Sequence, residues 1–201
     1  EEYPSKFWSN SGSESLGIIF NSVVGSKNIY LPKYFCGQSL SYLRGVNANI
    51  IFYDIDDNFN IDFEKTLFWS ELSKSDIVVI VHYFGQISNY EKLLQLKTKI
   101  NFTIIEDCAH INIAHNSGKW IGEFLIFSPH KHYPIQSIGL ILSKRKITAN
   151  YAKWNKTNFI WFFKQLIKKI APAKSLTIWE VKWSSNIHII SKRGPNNTLT
   201  K

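Results

Sequence analysis

The chain has 201 residues, of which 44% are hydrophobic and 19% are charged, so wholesale disorder is excluded and one domain with a sizeable core is expected. The sequence contains neither an apolar run long enough to cross a membrane nor a secretory signal pattern, and a cytoplasmic protein is therefore expected. The net charge of +9 indicates a surface that attracts phosphates, nucleic acid or acidic membranes, or simply a lysine-rich solvated surface.

The alternation of apolar and polar segments predicts the elements in chain order. Residues 1–10 are expected to be irregular, and a helix is expected to begin after Ser11. Further helices are predicted over residues 38–44 and 90–97, with a weaker helical pattern over 63–72. Strands are predicted over 28–31, 49–53, 76–83, from 103, over 123–127 and over 138–142. This repeated strand–loop–helix order predicts a three-layer α/β/α fold with a mostly parallel sheet.

The character of the chain changes after Lys144, where basic residues become more frequent. Residues 146–201 are interpreted as a basic helical extension, either a bridge to a second domain or the truncated start of a small C-terminal domain. Its helix over residues 159–170 is aromatic and basic, a pattern also typical of helices that lie on a membrane surface. The proposed division is therefore a domain over residues 1–145 and an extension over 146–201.

The sequence contains two cysteines and no methionine. Two cysteines do not make a disulfide framework, and the absence of CxxC and HExxH motifs gives no support for a metal site. Because methionine is absent, residue 1 is not expected to be a natural start, and the chain is expected to be a fragment or a processed piece of a longer protein.

Two chemically useful side chains follow predicted strands near the middle of the sequence. Asp107 ends the strand that begins at residue 103, and Lys131 lies just past the strand that ends at Phe127. Open α/β sheets bind ligands at the carboxyl edge of their strands, and a lysine with an acid at that edge is the pair that a pyridoxal phosphate site requires. The competing interpretation is a surface lysine and an acid that merely caps a helix.

A serine- and glycine-containing segment precedes the first predicted helix, at residues 11–15. Backbone N–H groups and hydroxyls at a helix N-terminus suit a phosphate group. The same Ser-x-x-Glu spacing is also that of an ordinary capping box, so the segment by itself does not distinguish the two interpretations.

The sequence also resembles a known family, in the order of five motifs within about residues 8–145: S-G-S-E-S-L, L-P-K-Y-F-C, V-H-Y-F-G-Q, I-I-E-D-C-A-H and F-S-P-H-K-H-Y-P-I. It is similar to the nucleotide-sugar aminotransferases of the DegT–DnrJ–StrS group, which are fold-type-I pyridoxal phosphate enzymes. The resemblance implies the large cofactor-binding domain of such an enzyme, pyridoxal 5'-phosphate as cofactor, and a homodimer as the working state.

The resemblance further implies roles for individual residues. Lys131 matches the lysine that binds the cofactor covalently and moves the substrate proton, and Asp107 matches the acid that pairs with the pyridine nitrogen. His110 stands where the family usually has a glutamine near the cofactor phenolic oxygen. Either Tyr34 or Phe35 would supply the ring that stacks on the cofactor. The implied phosphate contacts are Gly12, Ser13 and Ser128.

The sequence departs from the family pattern after the lysine. The family usually carries a glycine-rich G-E-G-G segment there, whereas residues 136–140 contain one glycine; a minority S-x-x-K-x-x-P pattern in the family is similar to this sequence. By comparison with the family, the small C-terminal domain is expected to be absent or only begun, so this chain by itself is expected to be inactive.

Three functional hypotheses follow. The first is an aminotransferase that moves an amino group from an amino acid, with glutamate expected, to a nucleotide-linked keto-sugar. The second is an inactive or truncated relative that acts as a binding or assembly module. The third, a nucleic-acid-binding domain, rests on the net charge and on no recognised motif.

Overall fold

The computed structural model describes residues 2–23, 25, 28–44, 46–66, 68–112, 120–135 and 137–147. Three helices lie in this part of the chain: α1 (Gly12–Ser22), α2 (Gly37–Leu40) and α3 (Glu91–Ile100). Its strands are β1 (Ser5–Ser9), β2 (Asn28–Pro32), β3 (Asn49–Tyr53), β4 (Ile77–Val81), β5 (Thr103–Asp107), β6 (Phe124–Phe127) and β7 (Gly139–Ser143). Short 3-10 turns occupy Ser41–Leu43, Phe68–Glu71, Tyr83–Gly85 and Pro129–Lys131.

The seven strands form one sheet in the order β1-β7-β6-β5-β4-β2-β3. Strands β3, β2, β4, β5 and β6 run parallel, while β7 pairs antiparallel with both β6 and β1. This arrangement confirms the predicted α/β fold with a mostly parallel sheet. The predicted weak helix over 63–72 reduces to the single 3-10 turn Phe68–Glu71.

The first ten residues are not irregular, and that expectation was wrong. Ser5–Ser9 forms an edge strand whose register with β7 runs from Ser5 opposite Ser143 to Ser9 opposite Gly139. Phe7, at the centre of β1, is buried in the core. A short strand of this kind is specified by its pairing with a segment more than 130 residues away, and local periodicity does not reveal such a pairing.

The buried strand β4 shows how the sheet separates two apolar layers. Ile77 and Val79 face the cluster that contains helix α1, and Val78 and Ile80 face the cluster that contains Leu93 of helix α3. Successive side chains of a strand point to opposite faces, so an uninterrupted Ile-Val-Val-Ile-Val run is explained by a strand covered on both sides.

The parallel strands end at one edge of the sheet, and the segments that follow β2, β4, β5 and β6 therefore meet there. The antiparallel partner β7 begins at the same edge at which β6 ends.

No helix in the described part of the chain combines the length and apolar character that a membrane crossing needs. The predicted helix over 159–170 lies outside the described residues, as does nearly all of the predicted extension.

Candidate functional site

A cavity of about 380 Å³ opens at the carboxyl edge of the parallel strands. This volume falls within the range of roughly 300–1,000 Å³ that is usual for ligand sites. All eight residues that the sequence analysis selected line it: Gly12, Ser13, Tyr34, Phe35, Asp107, His110, Ser128 and Lys131. The fold therefore brings together, around one space, side chains that are separated by up to 119 positions in the sequence.

One end of the cavity is formed by the start of helix α1 and by Ser128. A β-carbon at position 12 would come within 2.9 Å of the Ser128 Oγ, so the hydroxyl approaches the helix backbone because residue 12 is glycine. The Ser13 hydroxyl lies 2.9 Å from that of Ser39, which also lines the cavity. This end is consequently rich in hydroxyl groups.

Helix α1 begins with a variant of the capping box, in which the glutamate bonds to the residue before the N-cap Ser11. The Ser11 Oγ accepts the Glu14 N–H at 3.1 Å, and the Glu14 carboxylate accepts the Asn10 N–H at 2.5 Å. Among the described residues, none accepts a hydrogen bond from the backbone N–H groups of Gly12 or Ser13. The capping box and an anion seat are therefore compatible, because the cap satisfies Glu14 and leaves two donors beside the cavity.

Asp107 lies in the cavity wall at the end of β5. Its Oδ1 accepts the Ala109 N–H at 3.0 Å, which orients the carboxyl group. Burial raises the pKa of the Asp107 carboxyl, and the Ala109 N–H and the positive charge of Lys131 oppose that shift only in part. The acid therefore occupies a position where a cationic partner in the cavity would be favoured.

Lys131 ends the 3-10 turn that follows β6. Its backbone N–H donates to the Ser128 carbonyl at 3.0 Å, which ties the lysine to the residue that closes the hydroxyl-rich end. The side chain is exposed and lines the cavity. Its charge opposes the rise that burial causes in the Asp107 pKa and adds to the lowering that burial causes in the His110 pKa, so the amine acts electrostatically on both of these cavity residues.

His110 follows β5 and lines the cavity next to Phe84. Its Nδ1 accepts the Phe84 backbone N–H at 3.2 Å, and the two rings stack with centroids 5.8 Å apart and planes 18° from parallel. Burial, together with the charge of Lys131, lowers the pKa of the His110 imidazole, although Asp107 acts in the opposite direction. The surroundings of His110 at the cavity wall therefore favour the neutral form of its imidazole.

The two aromatic candidates for stacking occupy different surroundings. Phe35 is half-buried and packs against the core cluster that contains α1. Tyr34 is 58% exposed, its ring lies 5.6 Å from that of Tyr83, and its carbonyl accepts the Tyr83 hydroxyl. Both line the cavity, and the choice between them as a stacking ring stays a prediction.

His82 is a satisfied core histidine and does not line the cavity. It is fully buried, its Nε2 lies 2.7 Å from the Glu106 carboxylate, and its Nδ1 accepts the Ser88 N–H at 3.1 Å. Glu106 is also fully buried and accepts the N–H groups of Ile121 and Gly122. The pair joins the end of β4, strand β5 and the segment before β6.

The cavity also contains residues that the sequence analysis did not select, including Cys36, Tyr83 and His130. His130 adjoins Lys131 in the same motif, and that adjacency was the signal available. Partial burial raises the pKa of Cys36, but hydrogen bonds from Ser39 and the charge of Lys131 are sufficient to lower it. Within the described ranges, no group of three or more histidine, cysteine or acidic side chains is arranged to hold a metal.

Comparison with protein families gives a match to the DegT/DnrJ/EryC1/StrS aminotransferase family over residues 10–142. Two curated relatives match parts of the chain. A pleiotropic regulatory protein of Geobacillus stearothermophilus is 28% identical over 93 residues, which are 46% of this chain and 25% of that protein. An L-glutamine:3-amino-2,3-dideoxy-scyllo-inosose aminotransferase described for Micromonospora echinospora is 33% identical over 78 residues, 38% of this chain and 18% of that protein.

Among solved structures, the fold is similar to that of NtdA from Bacillus subtilis, which was determined with bound cofactor PMP (pyridoxamine phosphate). The TM-score is 0.61 at 15% identity, and the match covers 76% of this chain and 40% of NtdA. The chain therefore spans about two fifths of the length of that relative and a smaller share of the curated ones.

Proposed function

Since the chain belongs to the DegT/DnrJ/EryC1/StrS aminotransferase family, we propose that its cavity binds pyridoxal 5'-phosphate and serves amino-group transfer to a nucleotide-linked keto-sugar. The amino donor that we propose is an amino acid, with glutamate as the first candidate; the glutamine in the name of the Micromonospora relative makes that amino acid the second. The observation that carries the proposal is one cavity lined by Lys131, Asp107, Gly12 and Ser128.

The residues present fit such a group. The phosphate would lie at the hydroxyl-rich end, where the N–H groups of Gly12 and Ser13 have no acceptor among the described residues. The Ser128 hydroxyl, 3.5 Å from the His130 Nδ1, would be a third donor to it. When bound, pyridoxal phosphate supplies an aldehyde and a conjugated ring that accepts electrons from the substrate. The remaining chemistry belongs to Lys131 and Asp107.

Asp107 would hold a proton on the pyridine nitrogen. A carboxylate in a buried wall favours a cation beside it, and burial already raises the Asp107 pKa in the absence of such a partner. Pairing with a protonated ring nitrogen would remove that disadvantage. The Ala109 N–H occupies one carboxylate oxygen and so orients the acid for this contact.

Lys131 would bind the cofactor aldehyde through Nζ and, once released, would move the proton at the substrate α-carbon. Its position on a 3-10 turn directly after β6 places the flexible side chain beside the cavity. A general base must lie within hydrogen-bond reach of its proton. Two observations support this role: Lys131 lines the cavity, and no ion pair among the described residues would have to break for its amine to move there.

The test is reconstitution of the full chain with pyridoxal phosphate. We expect a visible absorbance band that borohydride reduction converts to a stable adduct on Lys131, located by peptide mass spectrometry. Lys131→Ala should abolish both signals, whereas Lys33→Ala, which removes an exposed amine paired with Asp54, should preserve them. A band that persists in Lys131→Ala, or an adduct on another lysine, would contradict the proposal.

Two further parts of the proposal concern assembly. We propose that residues 1–145 form the cofactor-binding domain, that residues 146–201 begin a second domain, and that the working state is a homodimer. Sedimentation at several protein concentrations tests the dimer, and a purely monomeric species with a full complement of cofactor would argue against it. Cofactor binding without turnover of any amino donor would instead favour the binding-module hypothesis.

A further inference from the structure

The segment after β4 has an unusual backbone next to the cavity. Phe84 lies in the left-handed region with φ 53° and ψ 28°, and Gly85 follows with φ 85°. Glycine adopts positive φ readily, but a bulky aromatic residue does so rarely, and such outliers are retained where the surrounding contacts require them. The contacts of Phe84 therefore indicate what this conformation maintains.

The Phe84 ring meets the Phe59 ring edge-on at 5.0 Å, but the backbone N–H of Phe84 is directed to His110. The Phe84 backbone N–H donates to the His110 Nδ1 at 3.2 Å, and the Phe84 ring covers one face of the imidazole. The turn is held from its other side by the Tyr83 hydroxyl, which donates to the Tyr34 carbonyl, and by the Gln86 N–H, which donates to the Tyr83 carbonyl at 2.9 Å. The left-handed residue is thus the one whose amide reaches the histidine.

This hydrogen bond determines which imidazole nitrogen carries the proton. A backbone N–H can only donate, so Nδ1 must present its lone pair, and the single proton of the neutral ring must lie on Nε2. Nε2 is then the nitrogen left for the cavity that His110 lines. A protonated imidazole would place an N–H against the Phe84 N–H and lose the bond.

We propose that Phe84 is a positioning residue whose backbone N–H keeps the His110 Nδ1 unprotonated, so that a neutral His110 serves the cavity as a hydrogen-bond donor through Nε2. The consequence for a bound cofactor rests on the proposed function: Nε2–H would donate to an acceptor oxygen on the ring. Resemblance to the family indicates only the place of residue 110, whereas the contact with Phe84 determines its tautomer and orientation.

The charged surroundings of His110 are consistent with this arrangement. Lys131 and His132 disfavour an added positive charge on the imidazole, and Asp107 favours one. Burial of the ring, the largest of these effects, also lowers the pKa of His110. A neutral donor beside Lys131 avoids a second cation at the wall of the cavity, and it supplies a hydrogen bond without that repulsion.

Nuclear magnetic resonance of the ¹⁵N-labelled full chain tests the tautomer without any cofactor. The chain has six histidines, and a spectrum of His110→Gln identifies the ring signals of His110 by difference. We expect a lone-pair nitrogen at Nδ1 and a protonated nitrogen at Nε2 near neutral pH. The opposite tautomer, or an imidazolium at neutral pH, would overturn the proposal.

The Phe84 amide gives a second readout that a purely structural role would not move. Its chemical shift and hydrogen exchange should titrate together with His110 as the pH falls, because protonation of Nδ1 removes the acceptor. The amide of Gln86, bonded to a carbonyl, is the matched control and should show no such step. A Phe84 amide that is insensitive to His110 protonation, or equally sensitive in His110→Gln, would refute the hydrogen bond.

Phe84→Gly separates the amide from the ring, since glycine keeps the N–H and accepts a positive φ. We expect the Nε2–H tautomer to persist in this variant; its loss would assign the effect to the ring and contradict the proposal. Adding pyridoxal phosphate to the wild-type chain then tests the role at the cofactor. If the Lys131-dependent absorbance band forms while the Nε2–H signal does not shift, His110 does not donate a hydrogen bond to the cofactor. If the band does not form, that result argues against the proposed function and leaves the tautomer of His110 untouched.

Discussion

Gly12 and Ser128 lie so close that a single added carbon at position 12 would come within 2.9 Å of the serine hydroxyl oxygen. One residue begins helix α1 and the other directly follows strand β6. Their contact joins the helix N-terminus to the segment that carries Lys131. It is therefore a sensitive place at which to separate effects on binding from effects on stability.

Gly12→Ala should weaken pyridoxal phosphate binding by about tenfold, equivalent to about 1.4 kcal/mol. The new methyl group forces the Ser128 hydroxyl to rotate, because that oxygen is the nearest atom and can move, so the loss should appear in affinity more than in folding. Gly37→Ala is the matched control, since a β-carbon at position 37 meets nothing within 4 Å. Absorbance titration measures both variants, and equal affinities would contradict this interpretation of the contact.

Gly139→Ala should instead lower stability, by roughly 1–3 kcal/mol. A β-carbon at this position would overlap the Ser11 carbonyl oxygen and the Ser9 hydroxyl. A backbone atom cannot rotate away, so β7 or the start of α1 must shift. Urea unfolding of this variant beside Gly37→Ala provides the measurement. Indistinguishable midpoints would show that the β1–β7 edge accommodates a β-carbon at position 139 without strain.

Asp107→Asn should stabilise the cofactor-free protein near neutral pH while it reduces cofactor affinity. The folded-state pKa of Asp107 is raised, so the folded state holds its proton more tightly than the unfolded chain does. Stability is therefore lost as the pH rises through the range between the unfolded and folded pKa values. The neutral amide removes that loss. Thermal unfolding at pH values from about 3 to 8, with Asp57→Asn as an exposed control, should show the difference; a lower melting temperature for Asp107→Asn at neutral pH would be inconsistent with it.

Glu106→Gln should cost about 3 kcal/mol of unfolding free energy, because it breaks a fully buried hydrogen-bonded pair with His82. The amide group also replaces an acceptor for the Ile121 and Gly122 N–H groups. Lys33→Ala removes an exposed ion pair and should change stability by less than about 1 kcal/mol. Chemical unfolding monitored by circular dichroism compares the two, and a cost for Glu106→Gln as small as that control would disprove the structural role of the pair.

The pH dependence of stability should carry a signature of His110. Its folded-state pKa is lowered, so the unfolded chain binds the proton more readily, and stability falls as the pH drops below about 6.5. Above that pH this loss of stability is absent. In His110→Gln the difference in unfolding free energy from wild type should therefore be constant above neutrality and shift in favour of the variant on acidification. A constant difference over the whole range would show that the imidazole titrates as it does in water.

Local patterns in the sequence predicted the strands β2 to β7, and together with the family resemblance they predicted eight of the residues that line the cavity. Ile77 to Val81 is apolar without interruption, and Asp107 and Lys131 each stand at the end of such a run. The order of the motifs added the cofactor, pyridoxal phosphate, which the family match over residues 10–142 supports. Strand β1 was not predicted, because this short segment forms a strand through its pairing with the distant strand β7.

Tertiary structure alone decided the surroundings of two histidines, one that lines the cavity and one that is buried away from it. His82 and His110 look alike in sequence, as each follows a β-branched strand, yet one is buried against Glu106 and the other opens to the cavity beside Phe84. Their partners lie 24 and 26 positions away along the chain. Local sequence specifies which side chains stand at a strand end. The pairing of parallel strands determines which distant groups lie beside them, and these long-range hydrogen bonds orient the two imidazole rings.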